Sequence, residues 1–234
     1  MTEATQQTAR RSFLSRSGMG AASVGVALGA GVFAARPAAA QTAGFKPRRH
    51  AEDAWMDTPT GAHRVVIDSA SPAGGGAALL YANNNFVANK SGYGLDVPDI
   101  TVIVVLRHLS TPFGFSDAIW TRYGGALSEI INFKDPKTNA APVTNLYSSG
   151  GAGMALPNMG ITIPALVEKG VQFAVCNSAT RFMANGVAQR TKGDADAIYK
   201  EFTTNLIPNS HLVAAGVVAI NRAQEYGYTL LTAI

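Results

Sequence analysis

One uninterrupted apolar run constrains this chain more than any other feature: Thr101-Val102-Ile103-Val104-Val105-Leu106. Five of these six residues are β-branched, which suits a strand better than a helix. A half-buried strand alternates apolar and polar residues, and this one does not. Both of its faces therefore need cover, which places it inside a parallel sheet with helices above and below. Four further runs, at 63–68, 171–176, 211–215 and 228–233, read as strands. Between them lie helical patterns. Residues 77–90 carry Leu79, Leu80, Phe86 and Val87 on one face, and 115–123 and 178–187 read as helices. Ile198 and Phe202 sit four apart in 194–206, with Asp194 as the N-cap, and 217–226 ends at Gly227. Alternation of this kind predicts an α/β protein: a three-layer α/β/α sandwich around a mostly parallel five-stranded sheet.

The 234 residues are 47% hydrophobic and 15% charged, enough for one domain with a sizeable core and too apolar for a disordered chain. The single cysteine excludes an intramolecular disulfide framework. The isoelectric point of 9.3 suggests a nucleic-acid binder. However, four of the 19 basic residues (Arg10, Arg11, Arg16, Arg36) and one of the 15 acidic residues (Glu3) fall in the first forty positions. The remainder is almost neutral and lacks a basic stripe with interleaved aromatics, which argues against nucleic acid.

Those forty positions have the layout of an export signal. Arg10-Arg11-Ser12-Phe13-Leu14 is a twin-arginine pair followed by apolar residues, 18–35 is a mild Gly/Ala-rich run, and Arg36-Pro37-Ala38-Ala39-Ala40 ends in small residues. We expect cleavage after Ala40, a periplasmic protein, and no stable membrane span after cleavage. Residues 41–61 are polar and read as an arm, leaving 62–234 as the α/β domain. Within it, 124–160 is rich in Gly, Pro, Asn and Ser and too long for an ordinary connection. That predicts a lid, an interface loop or a mobile insert. Phe113, Phe115, Trp120 and Tyr123 cluster around one helix, as core residues first and an oligomer interface second.

Ligands of open parallel sheets bind outside the carboxyl ends of the strands. Cys176 ends its strand there, and Asn177 and Ser178 follow as helix caps. A thiol at a helix N-terminus feels the positive end of the dipole, which favours thiolate, the nucleophile of thiol exchange. Arg181, one turn on, adds positive charge. Against this stands the ordinary role of a free cysteine as a small core residue. His63 and His211 begin strands, on the opposite edge. His108 follows the second strand and shares the edge of Cys176, with Arg107 beside it and Asp68 and Ser69 ending the first strand. A hydrogen-bonded loop histidine is the plainer reading of His108. The 69–76 segment is a Ser/Gly turn without a phosphate-loop pattern, and no spacing supports a zinc site, attached haem or other cofactor.

The segment Lys169-Gly170-Val171-Gln172-Phe173-Ala174-Val175-Cys176-Asn177-Ser178-Ala179 resembles the strand-cysteine-helix unit of DsrE/DsrF-like sulfur-relay proteins. Pro208, then Val213-Ala214-Ala215-Gly216-Val217-Val218, then Arg222-Ala223-Gln224-Glu225-Tyr226-Gly227-Tyr228 is similar to that family's last strand-helix-strand unit. The resemblance spans about 63–234 apart from the insert. It implies a five-stranded parallel sheet between helix layers, a trimer or hexamer, and a persulfide on Cys176 exchanged with a sulfur donor or acceptor protein. Two functions then compete. One is an exported sulfane-sulfur carrier or sulfurtransferase-like protein using Cys176 with His108. The other is a non-catalytic oligomeric binding or assembly module whose cysteine is buried and inert. Redox sensing through an intermolecular disulfide is a third.

Overall fold

The structure, a computed structural model, describes residues 46–233. The twin-arginine segment, the cleavage site after Ala40 and residues 41–45 of the arm lie outside the described residues.

Five parallel strands form the sheet: β1 (His63–Ser69), β2 (Ile100–Leu106), β3 (Gln172–Cys176), β4 (Ser210–Val213) and β5 (Thr229–Ala233). Their spatial order is β4-β3-β2-β1-β5, with every pair parallel. All seven residues of β2 are buried, as a continuous apolar run requires of a central strand. The connecting helices are α1 (Pro72–Tyr93), α2 (Asp117–Ile131), α3 (Leu146–Ser149), α4 (Ile163–Glu168), α5 (Asn177–Thr191), α6 (Ala195–Thr204) and α7 (Gly216–Glu225). This is the expected three-layer α/β architecture.

The two layers are unequal. Val65, Ile67, Val102, Val104, Leu106, Phe173 and Val175 pack against residues of α1 to α6. The alternate positions Val66, Ile103, Val105 and Ala174 pack against α7 and the 51–56 turn. The second face is therefore covered by one helix and a strap. That strap is the arm expected to lie outside the core. Met56 is fully buried in it, and Trp55 stacks on His211 with ring centroids 4.0 Å apart. Tyr228 donates its hydroxyl to Met56 O, and Arg49 lies over the Tyr226 ring. Two apolar residues at the end of a polar stretch suffice to dock it, because α7 alone leaves that face open.

Two other expectations change. The glycine-rich 69–76 segment is not all turn: α1 starts at Pro72, capped by the Ser71 hydroxyl accepting from Gly74 N–H. A Cβ on Gly76 would sit 2.6 Å from the Tyr147 hydroxyl, so the glycine permits close packing. The 124–160 region is not all loop. Its first eight residues continue α2 to Ile131, 136–141 are exposed, and 145–147 are built into the core. Tyr147 is fully buried and donates to Pro72 O, while the buried Asn145 side chain donates to Phe113 O and Phe115 O. These hydrogen bonds tie the short helix α3 and its N-cap Asn145 to the core. Phe113, Phe115, Trp120 and Tyr123 are buried, as expected of core residues.

Adjacent glycines of α2 provide a stability test. A Cβ on Gly124 would lie 2.0 Å from Pro142 O, whereas one on Gly125 meets open space. Gly124→Ala should destabilise by about 1–3 kcal/mol, and Gly125→Ala should stabilise by about 0.5–1 kcal/mol, read from urea midpoints.

His211 gives a second test. Its burial under Trp55 lowers its pKa below the ordinary 6.5. The unfolded chain then binds the proton more readily than the folded one, so this contribution is full above about pH 6.5 and is lost as the pH falls. Urea midpoints should drop between about pH 8 and about pH 5 more in the wild type than in His211→Gln.

Candidate functional site

The unequal layers create a crevice. The chain leaves β1, β2 and β3 toward the α1–α6 face, but it leaves β4 toward α7 on the other face. Adjacent β3 and β4 therefore send their connections in opposite directions, and a parallel sheet opens a ligand crevice at such a switch point. Here it is a cleft of about 340 Å³. Cys176, Ser178, Ala179 and Phe182 line it from the β3–α5 side, and Ala215, Gly216 and Val217 from the β4–α7 side. Arg107, His108 and Leu109 close it from the end of β2.

Strand alternation decides which side chains reach it. Asp68, Arg107 and Cys176 share the parity of Val66, Val105 and Ala174, so they lie on the α7 side at the ends of β1, β2 and β3. Arg107 binds Asp68 through both ends of its guanidinium, with Nε 2.7 Å from Oδ1 and Nη2 2.8 Å from Oδ2. Those hydrogen bonds are the main reason its pKa rises above the ordinary value. Burial opposes the rise, and the charge of Asp68 and, least, the proximity of Cys176 add to it. Arg107 is thus electrostatically coupled to the sulfur. Gly216 lets α7 approach, since a Cβ there would lie 2.4 Å from Arg107 Cβ.

Cys176 is itself the N-cap of α5. Its Sγ accepts from Ala179 N–H at 3.4 Å, the contact that a cap oxygen makes in most helices. The residue is only 5% exposed, yet it lines the cleft. Phe182 and Val217, each more than half exposed, flank the mouth. The N-terminus of α7 also borders the cleft, and its N-cap Ala215 has no side-chain group to satisfy the first N–H groups.

The structure divides the residues expected from sequence. Cys176, His108 and Ser178 line the cleft, with Ser178 donating to Ala214 O. His108 is exposed, with a left-handed backbone (φ 53°), a costly conformation for a residue with a side chain. Asp68 holds Arg107. Ser69 is fully buried and bonded to Val105 O and Ser110, so it ties β1 to β2. Asn177 and Arg181 turn away from the sulfur. Asn177 accepts from the Tyr199 hydroxyl, and Arg181 pairs with Asp196 and stacks on the Tyr199 ring. Four residues apart, they share the helix face that packs on α6. Leu109, Phe182 and the 215–217 segment are the missing members, and Arg107, read from sequence only as the neighbour of His108, lines the cleft directly. The edge rule applied to β4, and strand parity applied to β2, point to all but Phe182. Among the described residues no helix is long and apolar enough to cross a membrane.

No family model, curated protein or solved structure matches the chain.

The electrostatic coupling is testable with a neutral alkylating reagent, iodoacetamide. Asp68→Asn leaves the Arg107 charge unpaired beside the sulfur, and native Cys176 should react several-fold faster than in the wild type. Arg107→Gln should slow it several-fold. Equal rates in all three proteins would show that the sulfur does not feel this cation.

Proposed function

We propose that this chain carries sulfane sulfur on Cys176, as a persulfide carrier or a sulfurtransferase-like protein. The observation that supports this best is the placement of Sγ. It caps α5 and lines a cleft at the switch point, where the N-termini of α5 and α7 converge and Arg107 lies close. The resemblance of 169–179 to the strand-cysteine-helix unit of DsrE/DsrF-like relay proteins points the same way.

The chemistry needs no external oxidant. The Cys176 thiolate attacks the outer sulfur of a donor persulfide, R–S–SH. A new S–S bond forms on Cys176, the donor S–S bond breaks, and R–S⁻ leaves with the electron pair. An acceptor thiolate reverses the step. The cleft leaves the sulfur reachable by a donor, Arg107 offsets its charge, and His108 at the rim exchanges the proton of the arriving or leaving group. Export by the twin-arginine route, a periplasmic location and a trimeric or hexameric assembly belong to the same reading.

A second reading, a non-catalytic binding module with an inert cysteine, draws on the 5% exposure of Cys176. Intact-mass measurement separates the two. After incubation with glutathione persulfide and removal of excess reagent, the protein should gain about 32 Da, one sulfur atom, and Cys176→Ser should gain nothing. An unchanged wild-type mass, under conditions that load a control thiol protein, would favour the second reading.

A further inference from the structure

The two edges of the sheet are treated differently. β4 is four residues long, follows Pro208 and Asn209, and has His211 covered by Trp55. Short strands, nearby proline and covering groups are the usual protection of a sheet edge. Among the described residues β5 has no proline and no covering group. Its five residues, Thr229-Leu230-Leu231-Thr232-Ala233, carry no charge and no proline. Strand alternation puts Leu230 on the α7 side of the sheet and Leu231 on the α1 side, and they are 44% and 37% exposed. A helix laid on one face would cover only one of them. A strand added at the edge shields both and pairs the outward backbone groups.

We propose that β5 pairs antiparallel with β5 of a second copy, joining two sheets into one of ten strands. A second copy suits this edge because identical strands meeting across a two-fold bring each residue near itself. Such pairing penalises any charge near the centre, and β5 has none. The register follows. A two-fold perpendicular to a continuous sheet keeps each face on its own side, and all five residues overlap only when the axis passes beside the central residue, Leu231. Leu231 then faces Leu231 of the partner subunit, Leu230 lies opposite Thr232 of the partner subunit, and Thr229 lies opposite Ala233 of the partner subunit. The assembly must contain an even number of chains, so of the trimeric and hexameric assemblies it admits only the hexamer. This goes beyond the sulfur-carrier reading and does not depend on it.

The test uses the full chain with Cys176→Ser, so that no native thiol interferes. Residues directly opposite in an antiparallel pair have Cα atoms about 4.5–5.5 Å apart, within disulfide range, whereas the two copies of residue 230 sit diagonally, about 7–8 Å apart. Under mild oxidation, Leu231→Cys should become mostly covalent dimer, at least about tenfold faster than Leu230→Cys. Sedimentation of the wild type should give an even-numbered mass that Leu231→Lys lowers, with an unchanged circular dichroism spectrum confirming that the variant is folded. A monomeric or odd-numbered wild type overturns the proposal. So does cross-linking at 230 as fast as at 231, which would mean another register or another neighbour on this edge.

Discussion

The complete burial of β2 is the constraint on which the rest of the molecule depends. A strand with seven buried residues needs cover on both faces. Three crossovers, carrying α1 to α6, cover one face. The other receives α7 and a strap from the segment before β1. The single crossover on the second face departs from β4, next to β3, whose own crossover departs the other way. The cleft at Cys176 follows from that change of direction.

The electrostatics of the cleft follow from the same pleat. Alternation puts a carboxylate, a guanidinium and a thiol on one side at the ends of three adjacent strands, Asp68, Arg107 and Cys176. The two-point hydrogen bonding of Asp68 fixes Arg107 in place and offsets much of its charge. What remains beside the sulfur is a positioned cation and a backbone N–H, with apolar walls at Leu109, Phe182 and Val217.

Much of this architecture was legible in the sequence. The five strands, the Asp194 cap and the placement of Cys176 at a strand end follow from local patterns, because burial on both faces and capping leave direct marks on residue choice. The glycines at 74–76 read as a turn because their reason, contact with Tyr147 and Ala233, lies far away in the chain. The 124–160 segment read as a loop because its order comes from single polar groups, Asn145 and the Tyr147 hydroxyl, rather than from periodicity. The strap read as polar because its apolar docking rests on two residues, Trp55 and Met56, beside polar contacts such as Arg49 over Tyr226. At the site, sequence reasoning took His108 for its position after the strand, whereas counting the pleat from Val105 selects Arg107. Asn177 and Arg181 lie near Cys176 in sequence but on the helix face turned toward α6.

The central claim is that the Cys176 sulfur meets solvent through the cleft while the protein is folded. The most direct measurement is the rate of its alkylation by iodoacetamide in the native protein and in urea, followed by mass. Native Cys176 should alkylate in a single phase, at a rate much faster than global unfolding. Alkylation that waits for unfolding, at the unfolding rate itself, would contradict it and leave Cys176 a packing residue.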